Sequence, residues 1–259
     1  MSNIIINPQK LEEAKQWKDV HVVSDFDNTL TLQKVMAILR DGSYLTDDYA
    51  QKATRLFEKY RPLEKDSSIS KEKKGEIMNE WWGEHYKLLV DSGISMSDLL
   101  EIAKSEKIKL RDGAEDFLEL LYRKGIPIVI FSACGCGDAV EMILKERGLD
   151  YNNIFYIVNR FNWNKEGKAV SPQKPFIHSM NKDETTISSF PDVFDAVKDR
   201  RNVVLLGDSL NDADMAKGFD YKNILKIAVL NEDPSEEYRE KFDVILRDDL
   251  HFLKELFKN

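Results

Sequence analysis

Only two cysteines occur in the 259 residues, Cys134 and Cys136. That count excludes a disulfide-stapled scaffold, and without neighbouring histidines it is too few for a structural zinc site. One glycine separates the pair, a spacing at which a disulfide would be strained. A reducing compartment, the cytoplasm, is the simplest expectation. No apolar run approaches the ~18 residues of a membrane-spanning helix. The stretch from Met1 to Pro8 lacks the basic start and apolar core of a secretory signal, so no membrane association is expected. Positive charge is also scarce. The 38 basic side chains face 46 acidic ones, for a net charge of −8, which disfavours a nucleic-acid partner. It does not disfavour a small anionic substrate, because a metal ion and one lysine can invert the sign of a single pocket. There is no internal repeat and no low-complexity tract.

What is present is ordinary for a globular chain: 42% apolar and 32% charged residues, over a length that suits a core domain plus a smaller one. Leu11 to Lys18 reads as a short amphipathic helix. The run Val20 to Val23 reads as a buried strand and ends in Asp25-Phe26-Asp27-Asn28-Thr29. From about Leu32 to Lys109 no strand-like run occurs. The patterns there are helical, over 47–60, 71–90 and 97–105, with Ser70 as an N-cap and Gly93 near the close of the long helix. Strand–helix alternation then resumes. Helices are expected over 113–124, from the loop after Ser132 to about Arg147, over 191–198 and over 249–257. Strands are expected over 126–131, 154–158, 203–206, 225–230 and 244–246, with a hairpin turn at 164–167. The pattern predicts an α/β fold, a Rossmann-like doubly wound parallel sheet formed by residues 1–31 and 110–259, with a helical cap inserted over 32–109.

Three polar residues, Asp25, Ser132 and Asp208, each fall just past the carboxyl end of an expected buried strand. In a doubly wound sheet those ends share one crevice. Two crowded carboxylates call for a cation, and Mg²⁺ suits hard oxygen donors. A carboxylate is also a nucleophile toward phosphorus. Phosphoryl transfer needs a nucleophile, a proton donor, positive charge and a metal. Asp25, Asp27, Lys182 and Asp208 can fill these roles in that order, with Ser132 as a hydroxyl donor and Asp212 supporting the metal.

Asp25-Phe26-Asp27-Asn28-Thr29, Phe131-Ser132-Ala133, Lys182 and Gly207-Asp208-Ser209-Leu210-Asn211-Asp212 resemble, in order, the four motifs of the haloacid dehalogenase superfamily, in its phosphatase branch. Arg61-Pro62-Leu63-Glu64-Lys65-Asp66, Glu80-Trp81-Trp82, Ile177-His178 with Asn181-Lys182, and Asn223 to Ile227 resemble the cytosolic pyrimidine 5′-nucleotidase family of type III, which includes 7-methylguanosine-phosphate-specific relatives. The resemblance runs from about Val22 to Leu246. It implies a Mg²⁺-dependent 5′-nucleotidase acting on nucleoside 5′-monophosphates, pyrimidine ones foremost, through an aspartyl phosphate; a monomer is expected. Asp25 would be the nucleophile and Asp27 the acid/base. Asp25, the Asp27 carbonyl, Asp208 and, through water, Asp212 would hold the metal. Ser132, Ala133 and Lys182 would contact phosphate, and Glu64 the base.

Trp81 and Trp82 point about 100° apart on a helix. One is expected in the cap core, and Trp82 is expected to stack on the base. His178 is expected to be structural. Asn28 stands where the family usually has Met, and Cys134-Gly135-Cys136 replaces a Gly-Ile-Gly-type loop. Alkylation of either thiol is expected to block the pocket. Two other readings stand beside this one: a phosphatase for another small metabolite such as phosphoserine, and a catalytically silent binding protein on the same fold.

Overall fold

The computed structural model describes residues 3–187, 189–217 and 220–258. Among the described residues there are nine strands, β1 (Ile4–Ile5), β2 (Val20–Ser24), β3 (Ile128–Ser132), β4 (Ile154–Val158), β5 (Phe161–Trp163), β6 (Ala169–Pro172), β7 (Asn202–Gly207), β8 (Asn223–Leu230) and β9 (Val244–Arg247). Seven of them form one sheet in the order β1-β9-β8-β7-β2-β3-β4, and β5 and β6 form a separate hairpin. All pairings in the large sheet are parallel except β1 with β9.

The reason for this arrangement lies in the strand sequences. Every residue of β2 and β3 is buried, and neighbouring residues point to opposite faces. Val22, Ile128, Ile130, Val204 and Leu206 enter one apolar cluster, while Val23, Val129, Phe131, Val203 and Leu205 enter another. Each such side chain contributes roughly 1.5–3 kcal/mol of burial. The helices that cover the first face include α6 (Ala114–Arg123) and α7 (Gly137–Glu146); α9 (Pro191–Val197) covers the second. The fold is therefore the doubly wound α/β sheet expected from the sequence.

The remaining helices are α1 (Pro8–Ala14), α2 (Val35–Asp41), α3 (Tyr49–Lys65), α4 (Lys71–Asp91), α5 (Met96–Lys104), α8 (Glu184–Ile187), α10 (Glu236–Lys241) and α11 (Leu253–Leu256). Helices α2 to α5 lie between β2 and β3. Their neck is closed by the Thr31–Leu110 bridge and by hydrogen bonds from Leu32 N to Lys109 O (2.9 Å) and from Arg111 N to Leu30 O (2.8 Å). Helix α5 opens on a Ser95/Asp98 capping box and packs along α7. Arg147 ties it down, donating to the carbonyls of Ala103 (3.0 Å) and Ile108 (2.6 Å). Helices α3 and α4 pair as a hairpin with a small apolar cluster of their own, Tyr60, Met78 and Trp81.

Several boundaries differ from the sequence reading. Helix α3 runs to Lys65 through Pro62 rather than stopping near Tyr60. Proline lacks the N–H that would bond the Glu58 carbonyl one turn back, so the helix continues through Pro62 with one intrahelical hydrogen bond fewer. Helix α2 was not expected at all. The closing helix is only the four residues Leu253–Leu256.

Candidate active site

Three parallel strands set the site. In register, Ser24 lies beside Leu206 on β7 and Ile130 on β3. Asp25, Ser132 and Asp208 therefore emerge along one edge, at the point where the chain order reverses about β2. One carboxylate oxygen from each of Asp25, Asp208 and Asp212 lies within 4.8 Å of the others. This is a hard-oxygen donor set of the kind Mg²⁺ takes.

Asp25 is buried, and its Oδ1 accepts from Lys182 Nζ at 2.5 Å; the same ammonium donates to Asp212 Oδ1 at 3.0 Å. Burial pushes the Asp25 carboxyl well above its usual range, and Lys182 opposes that. Burial pulls the Lys182 ammonium down, but Asp212 and Asp25 outweigh it and hold the lysine charged. Asp208 is also raised, by burial and then by the charge of Asp212. The acidic cluster thus repels itself, and one lysine bridges two of its three members.

Asp212 reaches this cluster by folding back from a 3₁₀ turn, Asp212–Asp214. Its Oδ2 accepts from Ser209 N (2.9 Å) and Ser209 Oγ (2.7 Å). A Cβ at Gly207 would collide with the Asp212 Cβ, so only glycine lets the carboxylate lie over the end of β7. The loop after β3 obeys a similar constraint. A Cβ at Gly137 would collide with the Asn159 carbonyl. There Ser132, buried at the strand end, accepts from Cys134 N at 3.1 Å, and Ala133 follows it, half-buried.

Asp27 points toward the insertion. Its Oδ1 accepts from the amide of Val35, the first residue of α2, at 3.1 Å. Burial pushes its pKa up to about 6, with the Val35 amide opposing. Asn28 takes a left-handed conformation (φ 64°), which asparagine tolerates, and its Nδ2 donates to Asp208 Oδ2 at 3.2 Å.

The sequence reading missed the groups that hold this loop. Arg111, 1% exposed, donates to the carbonyls of Asn28 and Thr29 (3.0 Å for the latter) and to Asn231 Oδ1 at 2.8 Å. Tyr238 donates to the Asp208 carbonyl at 2.9 Å. An arginine after Ile108-Lys109-Leu110, in a stretch already rich in basic residues, carries no local signal for such a role. Serine two residues before Asn211, by contrast, is a recognisable turn former, and Ser209 could have been read so.

The insertion contributes its own face. Glu64 lies in the last turn of α3; its Oε1 accepts from Ser179 Oγ at 2.5 Å and its Oε2 pairs with Arg61. Trp81 is buried, stacked on Tyr60 with centroids 5.7 Å apart. Trp82 is half-buried and edge-on to His178 at 6.4 Å. His178 Nδ1 accepts from Met180 N at 3.2 Å. Trp82 Nε1 and His178 Nε2 are buried with no hydrogen-bond partner among the described residues. Burial holds the His178 imidazole neutral, lowering it to about 4 against the pull of Glu64.

A model of the pyrimidine 5′-nucleotidase (UMPH-1) family matches residues 20–255. The chain belongs to that family. Its relatives include the 7-methylguanosine phosphate-specific 5′-nucleotidase A of Xenopus laevis, 31% identical over 88% of this chain and 82% of that one. The enzyme of the same description from Drosophila melanogaster is 32% identical over 89% of this chain and 76% of that one. Among solved structures, cytosolic 5′-nucleotidase IIIB bound to cytidine superposes with a TM-score of 0.84 at 28% identity, covering 98% of this chain and 91% of that one. Phosphoserine phosphatase superposes at 0.56 with 20% identity, a likeness of fold alone. Family members are 5′-nucleotidases on the haloacid dehalogenase-like fold. Among the described residues, no helix is long and apolar enough to cross a membrane.

Proposed function

We propose that this family member hydrolyses nucleoside 5′-monophosphates, pyrimidine or 7-methylguanine ones, through an aspartyl phosphate on Asp25. The observation that carries the reading is the buried Asp25–Lys182–Asp212 contact beside Asp208. It joins a nucleophile, a phosphate-binding cation and a metal-ligand set in one crevice. Asp25, the Asp27 carbonyl and Asp208 would hold Mg²⁺, with Asp212 acting through water; the ion would neutralise the phosphate and the carboxylates around it.

The steps belong to the side chains. A carboxylate oxygen of Asp25 attacks phosphorus as the bond to the 5′-oxygen breaks. Asp27 gives that oxygen its proton. Asp27 then takes a proton from water, whose oxygen attacks the same phosphorus and releases phosphate, restoring Asp25. Lys182, the Ser132 hydroxyl and the loop amide at Ala133 meet the phosphate oxygens.

Residues 32–109 act as the cap that excludes water and selects the base. Glu64 accepts from a base amine, and Trp82 stacks on the ring. The unmet ring nitrogens of Trp82 and His178 support a polar seam between α4 and the 176–182 loop. The protein acts as a monomer on free cytoplasmic nucleotides.

The test is kcat/KM for CMP, UMP, GMP, 7-methyl-GMP, phosphoserine and p-nitrophenyl phosphate, on wild type and Glu64→Ala. The expected result is a preference for CMP or 7-methyl-GMP of about 10- to 100-fold that Glu64→Ala largely removes, the worth of a buried hydrogen bond to a charged group. Faster turnover of phosphoserine than of every nucleotide overturns the reading.

A further inference from the structure

Glu64 is placed by two donors of unequal quality. Arg61 sits one turn away on the same helix and is 41% exposed, so solvent screens it; the Glu64 side chain is only 9% exposed. The second donor, Ser179 Oγ at 2.5 Å, arrives from the core, 115 residues away in sequence. Among the described residues it is the one hydrogen-bond donor that reaches Glu64 from outside α3.

The segment carrying Ser179 is held firmly. His178 N donates to Asn181 Oδ1 at 2.8 Å, Asn181 Nδ2 to the Phe176 carbonyl at 2.7 Å, and Thr186 Oγ1 to the Asn181 carbonyl at 2.5 Å. Three residues past Ser179, Lys182 grips Asp25. A serine hydroxyl on a fixed loop therefore joins the cap carboxylate to the loop that carries the phosphate-binding lysine. A carboxylate offers about four lone-pair positions, so Ser179 and Arg61 leave room for a base amine.

We propose that Ser179 is a positioning residue for base recognition: its hydroxyl fixes the Glu64 carboxylate, across the seam between cap and core, in the orientation that receives the exocyclic amine of the base. The inference rests on the nucleotidase reading above. Ser179 touches neither phosphate nor metal. It acts through Glu64, so its loss weakens discrimination and spares the chemistry.

The experiment compares kcat/KM for CMP, 7-methyl-GMP and p-nitrophenyl phosphate in wild type, Ser179→Ala, Ser179→Thr, Glu64→Ala and the Ser179→Ala/Glu64→Ala double variant. In Ser179→Ala the ratio of the preferred nucleotide to p-nitrophenyl phosphate falls about tenfold, through KM, while p-nitrophenyl phosphate turnover is unchanged. Ser179→Thr keeps a hydroxyl and restores most of the ratio. In the Glu64→Ala background the serine change adds nothing, since the two act as one unit. An equal fall for all three substrates, or no change in a wild type that prefers nucleotides, overturns the role of Ser179 and leaves the nucleotidase reading standing. A wild type with no preference for either nucleotide overturns both.

Discussion

Asp27 Oδ1 accepts the Val35 amide at 3.1 Å, so the second carboxylate of the first motif also caps the first helix of the insertion. Lys34, at the N-cap position itself, makes no side-chain cap bond. The two duties are separable. Asp27→Asn keeps the acceptor oxygen, so stability stays near wild type while turnover falls by about 100-fold or more. Asp27→Ala loses the same turnover and, in addition, about 1 kcal/mol of stability. Urea unfolding beside phosphate-release rates checks this. Equal stability of the two variants would show that Asp27 does not hold α2.

The same contact explains why α2 was not legible in the sequence. Its cap lies eight residues upstream in another motif, and only Val35 and Leu39 of its seven residues are buried. Strand β1 is two residues long and exists through pairing with β9. By contrast, α4 and α5 carry their own Ser caps, and β2, β3 and β7 are buried apolar runs, so their patterns were readable locally. Three of the catalytic candidates were legible because they end such strands. Arg111, Ser179 and the Asn28–Asp208 bond were not, because each depends on a partner 80 or more residues away.

Asn28 orients one oxygen of Asp208, at 3.2 Å. Asn28→Met removes that donor. Loss of a hydrogen bond to a metal-binding carboxylate costs about 10- to 100-fold in metal affinity. Calorimetric titration with Mg²⁺ is expected to show at least the lower figure. Unchanged affinity would mean that the bond does not orient Asp208.

The sequence leads one to expect that alkylating Cys134 or Cys136 blocks the pocket, but the two side chains are only 5% and 0% exposed. Burial pushes both thiols up, further from the reactive thiolate. A short exposure of the native protein to a thiol reagent should label neither cysteine and leave phosphate release intact; denaturant should make both reactive. Rapid native labelling would place the loop in solvent.

His21 Nδ1 donates to the Arg200 carbonyl at 2.7 Å, and burial lowers its pKa from 6.5 to about 4. A base whose folded pKa is depressed gives stability that is full above the unfolded value and is lost as pH falls from 6.5 toward 4. His21→Asn can donate to the same carbonyl without titrating. The margin of wild type over this variant should therefore shrink by about 2 kcal/mol between pH 7.5 and 5. Urea unfolding at the two pH values reads it, and a constant margin would mean that His21 titrates normally.

Asp25, held by Lys182, is the proposed nucleophile. Asp25→Asn keeps the volume and removes the attacking charge. The decisive measurement is phosphate release from CMP by wild type and Asp25→Asn, with Mg²⁺ and with EDTA, the fold of the variant being checked by circular dichroism. Turnover is expected only from wild type with Mg²⁺. Folded Asp25→Asn working within tenfold of wild type would contradict a covalent intermediate on Asp25.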